Sequence, residues 1–298
     1  MMEGANPAPL FQCVKPMRPV RIHLPHLPSS IRLNPSTRRL LRSFRENVQL
    51  GTLLAFVAGN VNSVAFVHFG TYVSHVSGHA TRAAINYAEG DFTSALLFLM
   101  EFLAFIFGAG FTAFLLKGHT AASSQIKYTL PTFIELALIV SFMVLAILHA
   151  KGLIESPYLS HLTFLLAIAM GMQNAMLRQA SGTIVRTTHM TGVATDFGFE
   201  LGAAVRAAGD SFWMSEKSLL QKIRQSFDAF VHRLGVSRFL FHGFIIFSFS
   251  AGAVVGTLSF LLYQDYALLI PCITLLLIGI REKLRTPNKE EDTSGANI

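Results

Sequence analysis

The sequence predicts an all-α fold: a polytopic membrane helical bundle of about six transmembrane helices. These fall into two 3+3 pseudo-repeats, each half with a short polar helix that starts at a glycine. Three observations predict it. Hydrophobic residues make up 52% of the chain and charged residues 14%, where a soluble domain carries roughly 25% charged residues. Several apolar runs reach about 20 residues, enough to cross a bilayer core of ~30 Å. Polar, glycine-punctuated segments interrupt apolar sequence twice, in the same order. The alternating pattern of an outer-membrane barrel is absent.

Residues 1–46 hold seven of the eleven prolines, and Arg32, Arg38, Arg39, Arg42 and Arg45 cluster ahead of the first apolar run. A basic cytoplasmic tail over 1–47 is expected, with a short surface-bound helix over 37–47. No apolar h-region follows Met1, so no cleavable signal peptide is expected. The apolar runs are 48–69, 92–116, 129–149, 159–177, 238–263 and 265–280. Two less apolar helical stretches, 76–89 and 190–208, lie between them. If these stay out of the core, six spans put both termini and the 117–127 and 178–237 loops on one face. Most of the lysine and arginine gathers there, which makes that face cytoplasmic. If both cross, eight spans also leave the termini inside, but Arg82 and Arg186 enter the core, where arginine is costly. Six is favoured, in the cell's inner (plasma) membrane.

The halves are then 48–150 and 151–281, followed by a polar tail over 282–298. The second half carries an insertion at 211–237. Leu219, Leu220, Ile223, Phe227, Phe230, Val231 and Leu234 form one helical face there, with Lys217, Lys222, Arg224 and Arg233 largely elsewhere. That pattern suits a helix lying on a membrane surface, with Trp213 as anchor. The net charge of +7 sits mostly in the tails and one loop, which suits a membrane face and no nucleic-acid partner. Cys13 and Cys272 form neither a disulfide framework nor a zinc pattern.

Placing Leu53-Leu54-Ala55 over Leu165-Leu166-Ala167 brings Gly59 onto Gly171, Asn62 onto Asn174 and Gly70-Thr71 onto Gly182-Thr183. After a two-residue slip, His75 falls on His189, Ser77-Gly78 on Thr191-Gly192 and Ala80-Thr81 on Ala194-Thr195. Further on, Phe107-Gly108-Ala109 resembles Ala251-Gly252-Ala253. With three spans per half the second half starts from the opposite face, the inverted arrangement of many secondary transporters.

The segments GNVNSV…HVSGHAT and GMQNA…TTHMTGVATD resemble the two signature segments of the YoaK-like family, small and mostly bacterial integral membrane proteins of unknown function. The resemblance covers about residues 48–280. In the first segment Ser77-Gly78-His79 stands where the family often has Thr-Gly-Asn. The resemblance implies a membrane location and no particular activity.

A glycine followed by a helix exposes free N–H groups at the positive end of the helix dipole, which suits an anion or a carbonyl oxygen. Asn62, Ser77, Gly78, Asn174, Thr191 and Gly192 are therefore candidate linings of a solute site. His75, His189 and Asp196 would bind solute or relay protons, and Glu101, in the middle of LLFLMEFLAF, is the candidate ion-coupling carboxylate. The alternatives remain structural: Ser77 and Thr191 as N-caps, the glycines as tight packing points, the amides as interhelical ties. Gly252 and Gly256 form a GxxxG and mark helix packing. His75 and His79 share a face but lack an obvious third ligand, so no metal and no cofactor is expected.

The leading expectation is a secondary transporter of a small polar or anionic solute, with the lipid bilayer as its environment and association with further copies left open. The alternatives are a scaffold or sensor working through the 211–237 helix, and a membrane-embedded enzyme using His75, His79 and Asp196. Of the two catalytic and non-catalytic classes, the non-enzymatic one is expected.

Overall fold

The computed structural model describes residues 35–117, 128–154, 162–180, 188, 190–234 and 236–284. The chain divides into two compact units, Met1–Arg42 and Ser43–Ile298. The described residues of the first, 35–42, are helical. The regular elements are α-helices: α1 (Pro35–Phe69), α2 (Val76–Ala88), α3 (Phe92–Lys117), α4 (Thr129–Ala150), α5 (Thr163–Ala180), α6 (Met190–Trp213), α7 (Leu219–Leu234), α8 (Val236–Tyr263) and α9 (Leu269–Leu284). A 3-10 turn, Gln264–Leu268, joins α8 to α9. No strand occurs among the described residues. The helix expected over 37–47 is the N-terminal part of α1, and the expected tail over 282–298 lies mostly outside the described residues.

Among the described residues, four stretches are long and apolar enough to cross a membrane: Val48–Phe69, Phe92–Leu116, Thr129–Ala150 and Phe239–Leu284. The last runs 46 residues, twice what one crossing needs, and contains α8, the turn and α9. The run expected at 159–177 forms α5 but is not among the four, because Gln173, Asn174 and Arg178 lower its hydropathy. Its surroundings explain why that is tolerated. Leu166, Ala169, Met170, Met172, Gln173 and Leu177 are fully enclosed by protein, so α5 has little need of lipid-compatible side chains. α1 is similar, with 67% of its span buried against 22% for α3. The outer surface is apolar instead: Leu103, Phe107 and Phe114 of α3, Phe247, Leu258 and Leu261 of α8, and Ile273 and Leu277 of α9 are exposed. A bundle with amides inside and large hydrocarbon side chains outside fits a lipid solvent.

Glycines set the closest helix crossings. A Cβ on Gly59 of α1 would overlap the Phe249 carbonyl of α8, and one on Gly252 of α8 would overlap the Phe56 carbonyl of α1. Likewise a Cβ on Gly171 of α5 would overlap the Phe105 carbonyl of α3, and one on Gly108 would overlap the Ile168 carbonyl of α5. Backbones meet at both crossings, the small-residue packing that membrane helices use. Gly256, the second glycine of the GxxxG, faces Ser63 and the Asn60 backbone of α1 in the same way. Polar bonds also fasten the inner helices: among them, Gln173 Nε2 donates to the Leu54 carbonyl, and Ser248 Oγ donates to the Thr52 carbonyl at 2.6 Å.

Helix α2 is 13 residues long, about 20 Å, and packs on α3. It ends at Gly90, whose φ of +85° suits a glycine. There Gly90 N donates to the Tyr87 carbonyl and Asp91 N to the Asn86 carbonyl, a Schellman stop. Asp91 then caps α3 by accepting from Ser94 N at 3.0 Å. The sharp reversal lays α2 back along α3 and brings His79 beside Glu101.

Candidate functional site

The site begins where α1 ends. The segment 70–75 doubles back from α1 to start α2, and Asn62 ties it down. Its Nδ2 donates to Ser74 Oγ at 2.6 Å, and its Oδ1 accepts from Ser74 N at 3.1 Å. Both ends of the Asn62 amide are thus engaged in positioning the segment that leads into α2. In the other half of the chain, Asn174 Nδ2 donates to Thr188 Oγ1 at 2.5 Å, and its Oδ1 accepts from Thr188 N at 3.1 Å. The same two bonds recur, with the same hand of donor and acceptor, ahead of α6. One turn into each helix the match continues: Thr81 Oγ1 donates to the Ser77 carbonyl and Thr195 Oγ1 to the Thr191 carbonyl.

A cavity of about 470 Å³ opens over the start of α2, lined by Gly70, Thr71, Tyr72, His75, Ser77, Gly78, His79, Thr81 and Arg82. Of the expected site residues, His75, Ser77 and Gly78 line it. His75 occupies the N-cap position without capping the helix through its side chain. Its ring lies on Gly78 instead, so close that a Cβ there would sit 2.5 Å from His75 Nδ1. Gly78 therefore makes room for that imidazole, and the first-turn N–H groups of α2 point the positive end of the helix dipole at the cavity.

Below the cavity lies a buried polar cluster. His79 Nε2 sits 2.8 Å from the Tyr72 carbonyl and His79 Nδ1 2.8 Å from Glu101 Oε2. Glu101 Oε1 accepts from Thr163 Oγ1 at the start of α5, and Thr71 Oγ1 is 3.5 Å from Oε2. A second cavity, about 320 Å³, lies on the Glu101 side and is lined by Phe69, Thr71, Arg82, Ser94, Phe98, Glu101 and Phe164, among others. Thr71 and Arg82 line both cavities. The Arg82 guanidinium stands 5.3 Å from the centre of the Phe98 ring, a cation–π contact that holds the charge over the site.

The remaining candidates lie elsewhere. Thr191 and Asp196 are exposed and Gly192 half-buried on α6, and none of them lines either cavity. His189 lies outside the described residues. Among the described residues no three His, Cys, Asp or Glu side chains converge as a metal set. Thr71, Tyr72, Arg82 and Thr163 join the site without having been singled out as candidates. Thr71 carried a signal, since Gly70-Thr71 recurs as Gly182-Thr183. His79 carried one too, four residues from His75 on one face.

A helical bundle with a hydrocarbon exterior, enclosed amides and a cationic cavity defines a polytopic integral membrane protein. Its sequence says which kind: residues 50–280 match the family described as protein of unknown function (DUF1275), and the chain belongs to that family. It is similar to the UPF0700 transmembrane protein RA0705 of Rhizobium meliloti (strain 1021), with 26% identity over 243 residues, covering 81% of this chain and 89% of that one. No solved structure matches it.

Proposed function

We propose that the protein is a secondary transporter of a small polar or anionic solute, built as two inverted repeats of three crossings. The cavity over α2 carries this reading. It places a guanidinium, two imidazoles, the hydroxyls of Thr71, Tyr72, Ser77 and Thr81 and a helix N-terminus around a volume fit for a small solute, inside a protein whose outer face is hydrocarbon. Positive groups at a helix start suit a carboxylate or another small anion.

The paired geometries support the repeat. Asn62 with Ser74 matches Asn174 with Thr188. The α1/α8 crossing, at Gly59 and Gly252, matches the α5/α3 crossing, at Gly171 and Gly108. In both, the first span of one half packs on the second span of the other, so the halves interlock as pseudo-symmetric mates. Six crossings follow if α1, α3, α4, α5, α8 and α9 traverse the bilayer. Helix α2 is too short to cross, and α6 carries Asp196, Glu200, Arg206 and Asp210, which disfavour the lipid core. The basic residues of the tails and of the 178–237 loop then put both termini on the cytoplasmic side of the plasma membrane.

The test is flux through purified protein in liposomes, across a panel of small anions and zwitterions. At least one solute is expected to move, with Arg82→Gln reducing its rate tenfold or more, about 1.4 kcal/mol of lost charge stabilisation. No movement of any solute would refute the reading. A second reading, a membrane scaffold or sensor, draws on the exposed apolar face of α7, where Leu219, Leu220, Ile223 and Phe227 are uncovered. Deleting 211–237 would abolish that function and leave flux intact.

A further inference from the structure

We propose that His79 and Glu101 form a proton-loading site in the wall between the two cavities. The argument starts from hydrogen positions. The Tyr72 carbonyl can only accept, so His79 Nε2, 2.8 Å away, carries a hydrogen. His79 Nδ1 and Glu101 Oε2 are also 2.8 Å apart, a distance that requires one hydrogen between them. It resides on Nδ1, as imidazolium and carboxylate, or on Oε2, as neutral imidazole and acid. In either form the pair has no net charge.

The cluster has room for a second proton. Glu101 Oε1 faces the Thr163 hydroxyl, which can accept as well as donate. When a proton arrives on Oε1, that O–H donates to Thr163 Oγ1, whose own hydrogen turns away, and Nδ1–H continues to donate to Oε2. The pair then carries one positive charge. His79 lines the larger cavity and Glu101 the smaller, with Thr71 lining both, so each partner meets a different cavity. Among the described residues, the other charged and titratable groups lining the two cavities are Tyr72 and His75, from the segment ahead of α2, and Arg82 of α2. Across from them, α5 contributes the neutral Thr163.

The counterpart positions show that the fold does not need this polarity. The matches above carry His79 onto Val193, Glu101 onto Ile245 and Thr163 onto Gly51. Val193 and Ile245 are buried together in one apolar cluster with Leu177 and Phe241, and Gly51 sits against Leu177, Ile245 and Phe241. The same packing problem is solved there with hydrocarbon, which is cheaper to enclose than an ion pair. A protonic role explains why one half keeps the polar version. That loading couples to an anion in the larger cavity rests on the transport reading; the loading itself does not.

The full chain in lipid nanodiscs, followed by infrared spectroscopy between about pH 5 and about pH 8, where histidine and buried carboxyls titrate, tests this. On acidification a protonated-carboxyl band is expected in the wild type and absent in Glu101→Gln. In His79→Val, which copies the counterpart residue, the frequency of that band is expected to shift, because the hydrogen bond between Nδ1 and Oε2 is lost. Spectra of wild type and Glu101→Gln that coincide at every pH, or an unshifted band in His79→Val, would overturn the proposal. If His79→Val does not fold, the Glu101→Gln comparison still decides it. A carboxyl band without solute flux would support the proton site and leave the transporter reading as the part that fails.

Discussion

Consider Gly171→Ala. A Cβ there would overlap the Phe105 carbonyl and crowd Ala109 N. Both neighbours are helix backbone, so no side chain can swing aside. Nonbonded atoms of this kind meet at ~3.5 Å, and the overlap exceeds an ångström, so α3 and α5 must separate by roughly that much. Such a gap forfeits a quarter to a half of the dispersion attraction along the seam, and overpacking typically costs about 1–3 kcal/mol. Glu101 and Thr163 lie about two turns from Gly108 and Gly171 on the same two helices, so the separation also stretches the Thr163–Glu101 bond. Reversible unfolding in bicelles is expected to show about 2 kcal/mol of lost stability. Gly110→Ala is the control, since nothing lies within 4 Å of its Cβ. It should be neutral or gain up to ~1 kcal/mol from helix propensity. Equal stability of Gly171→Ala and Gly110→Ala would refute the backbone crossing.

Three further outcomes follow from the same geometry. Asn62→Ala removes two hydrogen bonds to Ser74, at about 1 kcal/mol net each; hydrogen exchange of the first turn of α2 should accelerate, and unchanged exchange would show that the tie is idle. Glu135 of α4 is fully buried with neither carboxyl oxygen partnered among the described residues, so Glu135→Leu should raise stability by about 1–3 kcal/mol, and a fall in thermal midpoint would show an unseen partner. Asp91, ahead of the second span, is held below the usual carboxylate range, chiefly by the Ser94 side chain and then its N–H. A depressed folded pKa gives stability that is present above the ordinary value and lost as pH falls through the folded one. The Ser94 amide should therefore exchange faster in acid, and Asp91→Asn should remove that dependence.

Much of the fold was legible because lipid imposes a simple demand. An apolar run of about 20 residues has few options besides a helix, and the runs became α1, α3, α4, α5, α8 and α9. Both polar stretches became α2 and α6, and the amphipathic insertion became α7. The lengths of apolar runs do not say which helices are central. That was written in the small and amide residues, Gly59, Asn62, Gly171, Gln173 and Asn174, which close packing and internal hydrogen bonds require. The site was harder. Glu101 stood out as a lone carboxylate in hydrocarbon, but its contact with Thr163 spans 62 residues and depends on the α3/α5 crossing, which no local period encodes. His79 likewise meets Glu101 only because Gly90 and Asp91 reverse the chain. Asn62 and Asn174 were conspicuous as amides within spans, and their partners Ser74 and Thr188 became clear only once the turns after α1 and α5 were folded.

The measurement that bears most directly on the cavity is thiol blockade of flux. Ser77→Cys, in a chain with Cys13 and Cys272 replaced by serine, is reconstituted into liposomes and treated with a water-soluble thiol reagent. The account predicts transport before labelling and its loss afterwards, because Ser77 lines the cavity that the proposed solute route uses. Full labelling with undiminished flux would contradict it.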